Sequence, residues 1–401
     1  MGSLLHGVWA VKRVGFVSTR IAGTDGVSLE TFKWYQVLER NGYECFFFAG
    51  ELDTPPERSL LEPKAHFEHP EILQMHNSFF GTCQREASLT KRVHEIKDHL
   101  KKRLYEFCGD FKIDLLIPEN ALAIPMNIPL GMAITELIAE TCIPVIAHHH
   151  DFSWERKRFL INAVQDFICY AFPPNLRTIR HVVINSAASR ELSFRRGISN
   201  VIVPNVFDFN NPPAGDNPKS KHLREELERP RLVVSHSLSD EGDQYANRIM
   251  EYAERLGVEV LYIGDKIGPA RCFGADKDDG YTMDDVYQAA DVVTYPSGYE
   301  GFGNAFLEAI YFKKPVVVNR YSIFVEDIEP CGFEVVAFES FVSRDVVERL
   351  KRFLEPQNLR PVLEKNYELG KRFFSYEVLE KKLLHLMESF IELQGPRLFF
   401  K

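Results

Sequence analysis

The chain has 401 residues, 45% hydrophobic and 26% charged, an ordinary globular composition with room for about two domains. A formal charge of −9 excludes a nucleic-acid binder that works by neutralising phosphates, though not a local basic pocket for a diphosphate. Seven scattered cysteines without a CxxC pair fit the thiols of a reducing cytosol, no apolar run reaches the ~20 residues of a membrane span, and MGSLLHGVWAVKRVGF reads as the approach to a strand rather than a signal peptide, so the expected location is cytoplasmic.

Short apolar runs alternate with longer amphipathic stretches, the rhythm of an α/β protein with parallel sheets. RVGFVS (13–18) predicts the first strand, and Leu29–Asn41 a helix ended by Gly42. YECFFFA (43–49) is the next strand, residues 52–82 an excursion with short helices, and Leu89–Phe107 a long charged helix. IDLLIP (113–118) and IPVIA (143–147) read as buried strands, Arg156–Tyr170 as a helix, and HVVIN (181–185) as a strand. After VIVP (201–204) the texture changes to NVFDFNNPPAGDNPKSK, a linker composition near residues 204–222. A second series then predicts strands at LVVS (232–235), VEVLYI (258–263), DVVTY (291–295), PVVVN (315–319) and EVVA (334–337). Its helices fall near Ala246–Leu256, at Met283–Ala290 and at Arg344–Phe353, with Tyr376–Phe390 last. The expected organisation is an N-terminal lobe over 1–205, a C-terminal lobe over 206–375, and a segment 376–401 packing back on the first lobe.

The chemistry concentrates in YPSGYEGFGNAFLEAIYFKKP (295–315). A strand ends at Tyr295, Gly298, Gly301 and Gly303 make a turn, and Asn304–Phe312 continues as a helix. Ligands of open α/β sheets bind beyond the carboxyl ends of the strands. The N–H groups and dipole of a helix start favour a phosphate, and glycines let it approach. Glu308, inside the helix, suits a vicinal diol such as a ribose, and Glu300, before it, whatever lies beyond the phosphates. The same spacing also fits a plain glycine-rich turn with a solvated Glu300 and a helix-surface Glu308.

EGFGNAFLE followed by AIYFKKPVVV resembles the E-x7-E signature of the family 4 (group 1) retaining glycosyltransferases. The resemblance implies the GT-B fold, two Rossmann-like lobes with parallel sheets facing across a nucleotide-sugar cleft. It implies Glu300 at the sugar, Glu308 on the ribose, and the amides of Gly301, Phe302, Gly303 and Asn304 near the diphosphate. GTDGVSLE (23–30) is similar to the family's glycine-rich first loop, with Gly23 and Gly26 on the donor side. Its plainer reading is a turn with Asp25 or Ser28 capping a helix. In PVIAHHHDF (144–152), counting from the proline, His150 matches the family's histidine near the donor sugar and acceptor. A metal site and a structural cluster are the alternatives. Consecutive residues of an extended segment point in alternate directions, so three histidines in a row seldom ligate one ion. Lys266, in GDK after VEVLYI, falls on the nucleotide side, and Asn205 of VPNVFD at a hinge. Asp276-Lys277-Asp278 matches an Asp-x-Asp manganese motif superficially, but its run ADKDDGYTMDD reads as a solvated face.

One family feature is not visible. The second lobe normally opens with a strand and a loop carrying an Arg and a Lys, cations that stabilise the departing diphosphate. Here Asn217–Glu228 looks helical, and LVVS is followed by His236, Ser237 and Ser239. Either the lobe is short by one strand and one helix, or the cations come from elsewhere, with Lys219, Lys221, Arg229, Arg231, Lys266 and Arg271 as candidates. The expected function is retaining, metal-independent hexosyl transfer from a nucleoside diphosphate sugar to an acceptor hydroxyl, without a cofactor. The alternatives are a nucleotide-sugar-binding GT-B scaffold with weak or no activity, favoured by the missing cations, and a GT-B epimerase, disfavoured by E-x7-E.

Overall fold

The structure, a computed structural model, describes residues 11–23, 25–213, 218–225, 231–235, 243–267 and 281–390. The chain divides into two units, Met1–Val206 with Phe374–Lys401, and Phe207–Phe373.

Among the described residues of the first unit up to Ile202, seven strands are interspersed with seven helices. They are β1 (Arg13–Val17), α1 (Gly26–Arg40), β2 (Glu44–Ala49), β3 (Ser59–Leu61), α2 (Pro70–Phe79), α3 (Ala87–Asp110), β4 (Leu115–Pro118), α4 (Ile128–Thr141), β5 (Val145–His149), α5 (Lys157–Leu160), α6 (Gln165–Ala171), β6 (Ile179–Val183), α7 (Ser186–Arg196) and β7 (Asn200–Ile202). The strands form one sheet in the order β3-β2-β1-β4-β5-β6-β7, parallel throughout. Its strands are apolar on both faces because helices cover both. Val14, Phe16, Phe47, Leu115 and Ile117 join one buried cluster, while Val17, Phe46, Phe48 and Leu116 join another with α3 and α4 residues. Neighbours along each strand part to opposite sides, as period-two geometry requires.

The second unit holds α8 (Pro218–Glu225), β8 (Arg231–Val234), α9 (Asp243–Leu256), β9 (Glu259–Tyr262), α10 (Met283–Ala289), β10 (Val293–Tyr295), α11 (Asn304–Tyr311), β11 (Val316–Asn319), β12 (Val336–Phe338), α12 (Arg344–Phe353) and α13 (Pro356–Phe374). Its described strands form two parallel ladders, β8-β9 and β10-β11-β12. Among the described residues of this unit, no strand precedes α8. A last helix, α14 (Tyr376–Glu388), belongs to the first unit and lies against α1. Leu379, Leu383, Leu386 and Met387 are buried there, and the Tyr376 hydroxyl donates to Gln36 Oε1 at 2.9 Å.

Three expectations change. The helix expected over Arg156–Tyr170 is two pieces, α5 and α6, because the backbone between them pairs with residues 79–81 instead of itself. Gly81 N–H donates to Ile161 O at 2.9 Å and Ala163 N–H to Phe79 O at 2.8 Å. The excursion at 52–82 contains a strand, β3, as well as helix α2, because Leu60 and its neighbours extend the sheet beside β2. The strand expected to stop at Ala147 runs on through His148 and His149.

Candidate active site

β5 ends in His148 and His149, and His150 follows as the chain leaves the sheet. Strand alternation separates the three rings. His148 and His150 share a side, ring centroids 4.3 Å apart. His149 takes the other side, where its Nε2 lies 2.9 Å from Nδ1 of His181. Beside His148 and His150 stands Glu119, the residue after β4, with its side chain fully buried. Its Oε2 lies 2.8 Å from His148 Nδ1 and 3.4 Å from His150 Nε2. Trp34 of α1 stacks on His148 at 4.1 Å, and buried Glu30 of the same helix pairs with Lys33. Asn120 holds the loop in place. Its Oδ1 accepts from the His150 N–H at 3.0 Å, and its Nδ2 donates to Asp151 Oδ1 at 2.8 Å. Arg156 Nε donates to the other Asp151 oxygen at 2.6 Å.

Burial governs this cluster electrostatically, because desolvation disfavours every charged form. It pushes Glu119 up to about 7, with His150 opposing and Glu30 adding to the rise. It drives His148 down to about 3 and His181 to about 4. His149 falls well below the ordinary range through burial and then the neighbouring His181, and His150 falls through burial and then His148. The imidazoles are therefore neutral at physiological pH. Among the described residues, Glu119, His148 and His150 form the one group whose ligand atoms lie close enough for a shared ion, within 4.8 Å of one another. Here they contact one another directly.

In the second unit, β10 delivers Tyr295 to the start of the turn that carries Glu300. The pKa of the buried Tyr295 hydroxyl is raised by burial first and by the Glu300 carboxylate second. Tyr321, ring centroid 5.8 Å from Tyr295, donates its hydroxyl to Phe302 O at 2.8 Å. That bond fixes the turn from below. Gly303 adopts φ 133°, and a Cβ there would stand 2.4 Å from the Tyr321 oxygen. α11 then begins at Asn304, and no side chain caps its first turn because Gly303 has none. Glu308, half-buried on α11, interacts with the Tyr287 hydroxyl, whose pKa is raised by burial and then by this carboxylate. Gly301 and Asn304 are half-exposed and Phe302 is buried.

The first loop is organised by Asp25, whose Oδ1 accepts from the N–H groups of Val27 and Ser28 at the start of α1. Gly23 has φ 72° and donates its N–H to Asp53 at 2.9 Å, while Gly26 is the first residue of α1. Lys266 is exposed at the end of a short 3-10 turn after β9. Lys219 and Lys221 are exposed on α8. Arg229, His236, Ser237, Ser239, Arg271 and Asp276-Lys277-Asp278 lie outside the described residues, as does the side chain of Arg231. Among the described residues, no helix is long and apolar enough to cross a membrane.

Sequence reasoning missed Glu119, Asn120 and Asp151 in the first unit, and Tyr287, Tyr295 and Tyr321 in the second. A signal for Glu119 was present: Glu119-Asn120 directly follows the buried strand LLIP, an uncommon place for a carboxylate.

The family model for glycosyl transferases group 1 matches residues 276–369. The mannosylglucosylglycerate synthase of Thermotoga maritima is 30% identical over 92% of this chain and 98% of its own length. Among solved structures, sucrose-phosphate synthase from Thermosynechococcus elongatus matches with a TM-score of 0.62 at 12% identity, covering 96% of this chain and all (100%) of that one. Anabaena HepE, solved in complex with UDP and glucose, matches with a TM-score of 0.59 at 14% identity, over 94% of this chain and 100% of that one. The fold is GT-B.

Proposed function

The chain belongs to the group 1 glycosyltransferases, and from that premise we propose that it moves a hexose from a nucleoside diphosphate sugar to an acceptor hydroxyl with retention at the anomeric carbon. The bond from the anomeric carbon to the diphosphate breaks, and the acceptor oxygen takes its place on the same face. The acceptor's proton ends on the released nucleoside diphosphate or in solvent. No metal ion takes part in this reading.

The observation that carries it is the pair of carboxylates at the β10–α11 junction. Glu300 lies before a helix start without a side-chain cap, and Glu308 lies on the same helix. A helix start stabilises the negative charge that a departing diphosphate gains. We assign the ribose to Glu308, the transferred sugar to Glu300, and the diphosphate to the amides of Gly301–Asn304. Gly23 and Gly26 would serve the donor side, Lys266 would serve the nucleotide, and His150 would contact the sugar or acceptor as a neutral imidazole. The Thermotoga relative's name describes mannosylglucosylglycerate synthesis. By likeness to it, the proposed sugar is mannose and the proposed acceptor a sugar acid.

Nucleotide release should be followed with UDP-, GDP- and ADP-hexoses, with and without glyceric acid and glucosylglyceric acid. One donor should release nucleotide in step with a new glycoside. Glu308→Gln should weaken donor binding by about 10–100-fold. Glu300→Gln should lower kcat while donor binding persists. Binding heat without release, across all acceptors, would leave a nucleotide-sugar-binding scaffold in place of the enzyme.

A further inference from the structure

Glu119 has no role in the function proposed above, yet its carboxylate is completely buried beside His150. It is fully sequestered at the end of β4, where isolated charges are costly, and its Oε2 faces two imidazole nitrogens at 2.8 and 3.4 Å. No lysine or arginine pairs with it among the described residues. Its second oxygen, Oε1, is buried without a hydrogen-bond partner, so the residue is held for what Oε2 does. From the geometry we infer that Glu119 is a positioning residue for His150, holding it as the neutral tautomer with hydrogen on Nε2 and leaving Nδ1 as an acceptor for a substrate hydroxyl. This rests on the reading of His150 as a substrate-contacting residue.

The reasoning follows from hydrogen-bond capacity. Above its pKa of about 7 Glu119 is ionised and only accepts, so a neutral imidazole facing it must turn its one N–H toward it. His148 Nδ1 and His150 Nε2 both face Oε2, so each carries its hydrogen there and its other nitrogen is a bare lone pair. For His148 that other nitrogen, Nε2, is buried without a partner. A bare lone pair is the cheaper group to leave so, since orphaned N–H groups are the rarer case. The remaining groups near His150 favour the same state. Asp151 is already engaged by Asn120 and Arg156, and Glu30 by Lys33. His149 is turned away toward His181. Asn120 fixes the backbone at His150 by accepting from its N–H. The hydrogen position on His150 thus depends on a residue that touches no substrate.

The test is selective 15N labelling of histidine in the full chain at pH 8, with resonances assigned through His150→Ala. The native spectrum should show His150 protonated at Nε2 and bare at Nδ1. Glu119→Ala should give a mixture of tautomers and lower kcat about tenfold or more with little change in donor KM. Glu119→Gln keeps an acceptor oxygen facing His150 and should retain most of the native rate. In the His150→Ala background, removing Glu119 should add little further loss, whereas a merely structural role would add in full. His150 protonated at Nδ1 in the native spectrum would overturn the inference, and that spectrum reads the same whether or not a substrate is turned over or Glu119→Ala folds. A stoichiometric metal ion in the native protein, lost in Glu119→Gln, would also overturn it.

Discussion

Gly303 decides whether the turn between Glu300 and α11 can exist. Its φ of 133° is closed to side-chain-bearing residues, and the Tyr321 hydroxyl occupies the place a Cβ would take. Gly303→Ala should therefore destabilise the protein by about 2–4 kcal/mol, combining backbone strain with overpacking. Thermal melting of the variant checks this, and an unchanged midpoint would show that the turn relaxes. At this scale the sequence was informative about glycines and carboxylates but not about their supports. Glu300, Glu308 and Gly303 stand in one short glycine-marked window. The tyrosines that hold them, Tyr287 and Tyr321, come from other elements, and nothing in local spacing joins Tyr321 to Phe302 or Tyr287 to Glu308. His150 was singled out by likeness to the family's histidine, counted from the proline of a buried strand. Its partner Glu119 was not, because the contact spans 31 residues and depends on β4 lying beside β5.

At the scale of elements, strands with long apolar runs were readable because both sheet faces are covered. Helices were readable only where one face is polar. α4 is buried along nearly its whole length and shows no stripe for periodicity to find. α13 was obscured by Pro361 in its interior. α7 is mostly polar, and its signals were Asn185, which caps its first turn, and Gly197, which ends it at φ 63°. α14 shows how far one late element supports an early one. It fills the α1 side of the sheet with Leu379, Leu383 and Leu386, all buried. Leu379→Ala should cost about 2–5 kcal/mol by creating a cavity there. Urea unfolding measures this, and a loss below about 0.5 kcal/mol would mean that α14 contributes little to the first unit.

For the whole molecule, the buried imidazoles set an acid limit on the first unit. His148, His149, His150 and His181 all have folded pKa values below the ordinary 6.5. Above that pH neither state binds these protons. Below it the unfolded chain takes them up while the folded unit does not, so stability falls from about pH 6.5 toward the folded values, about 3 for His148 and about 4 for His181. Glu119 acts in the opposite sense. Its folded value of about 7 exceeds the ordinary 4.5, so its stabilising contribution is complete below about 4.5 and is lost as pH rises through 7. Each group contributes at most about 1.4 kcal/mol per pH unit, so four imidazoles outweigh one carboxyl. The urea midpoint should fall between pH 7.5 and pH 5, and a flat or rising midpoint would contradict this assignment.

The two-lobed α/β plan was legible from the rhythm of strands and helices together with one linker composition. The glycosyltransferase family was legible from a single motif and its flanking strand. A cationic partner for the proposed diphosphate was not, since the candidates are lysines and arginines whose neighbourhoods no spacing rule defines. The most direct test of the central claim is the one-bond C1–H1 coupling of the new glycoside, read by NMR on product formed from a 13C-labelled nucleoside diphosphate sugar. The account predicts the same anomeric configuration in product and donor. An inverted product, or donor consumed without any new glycoside, would contradict it.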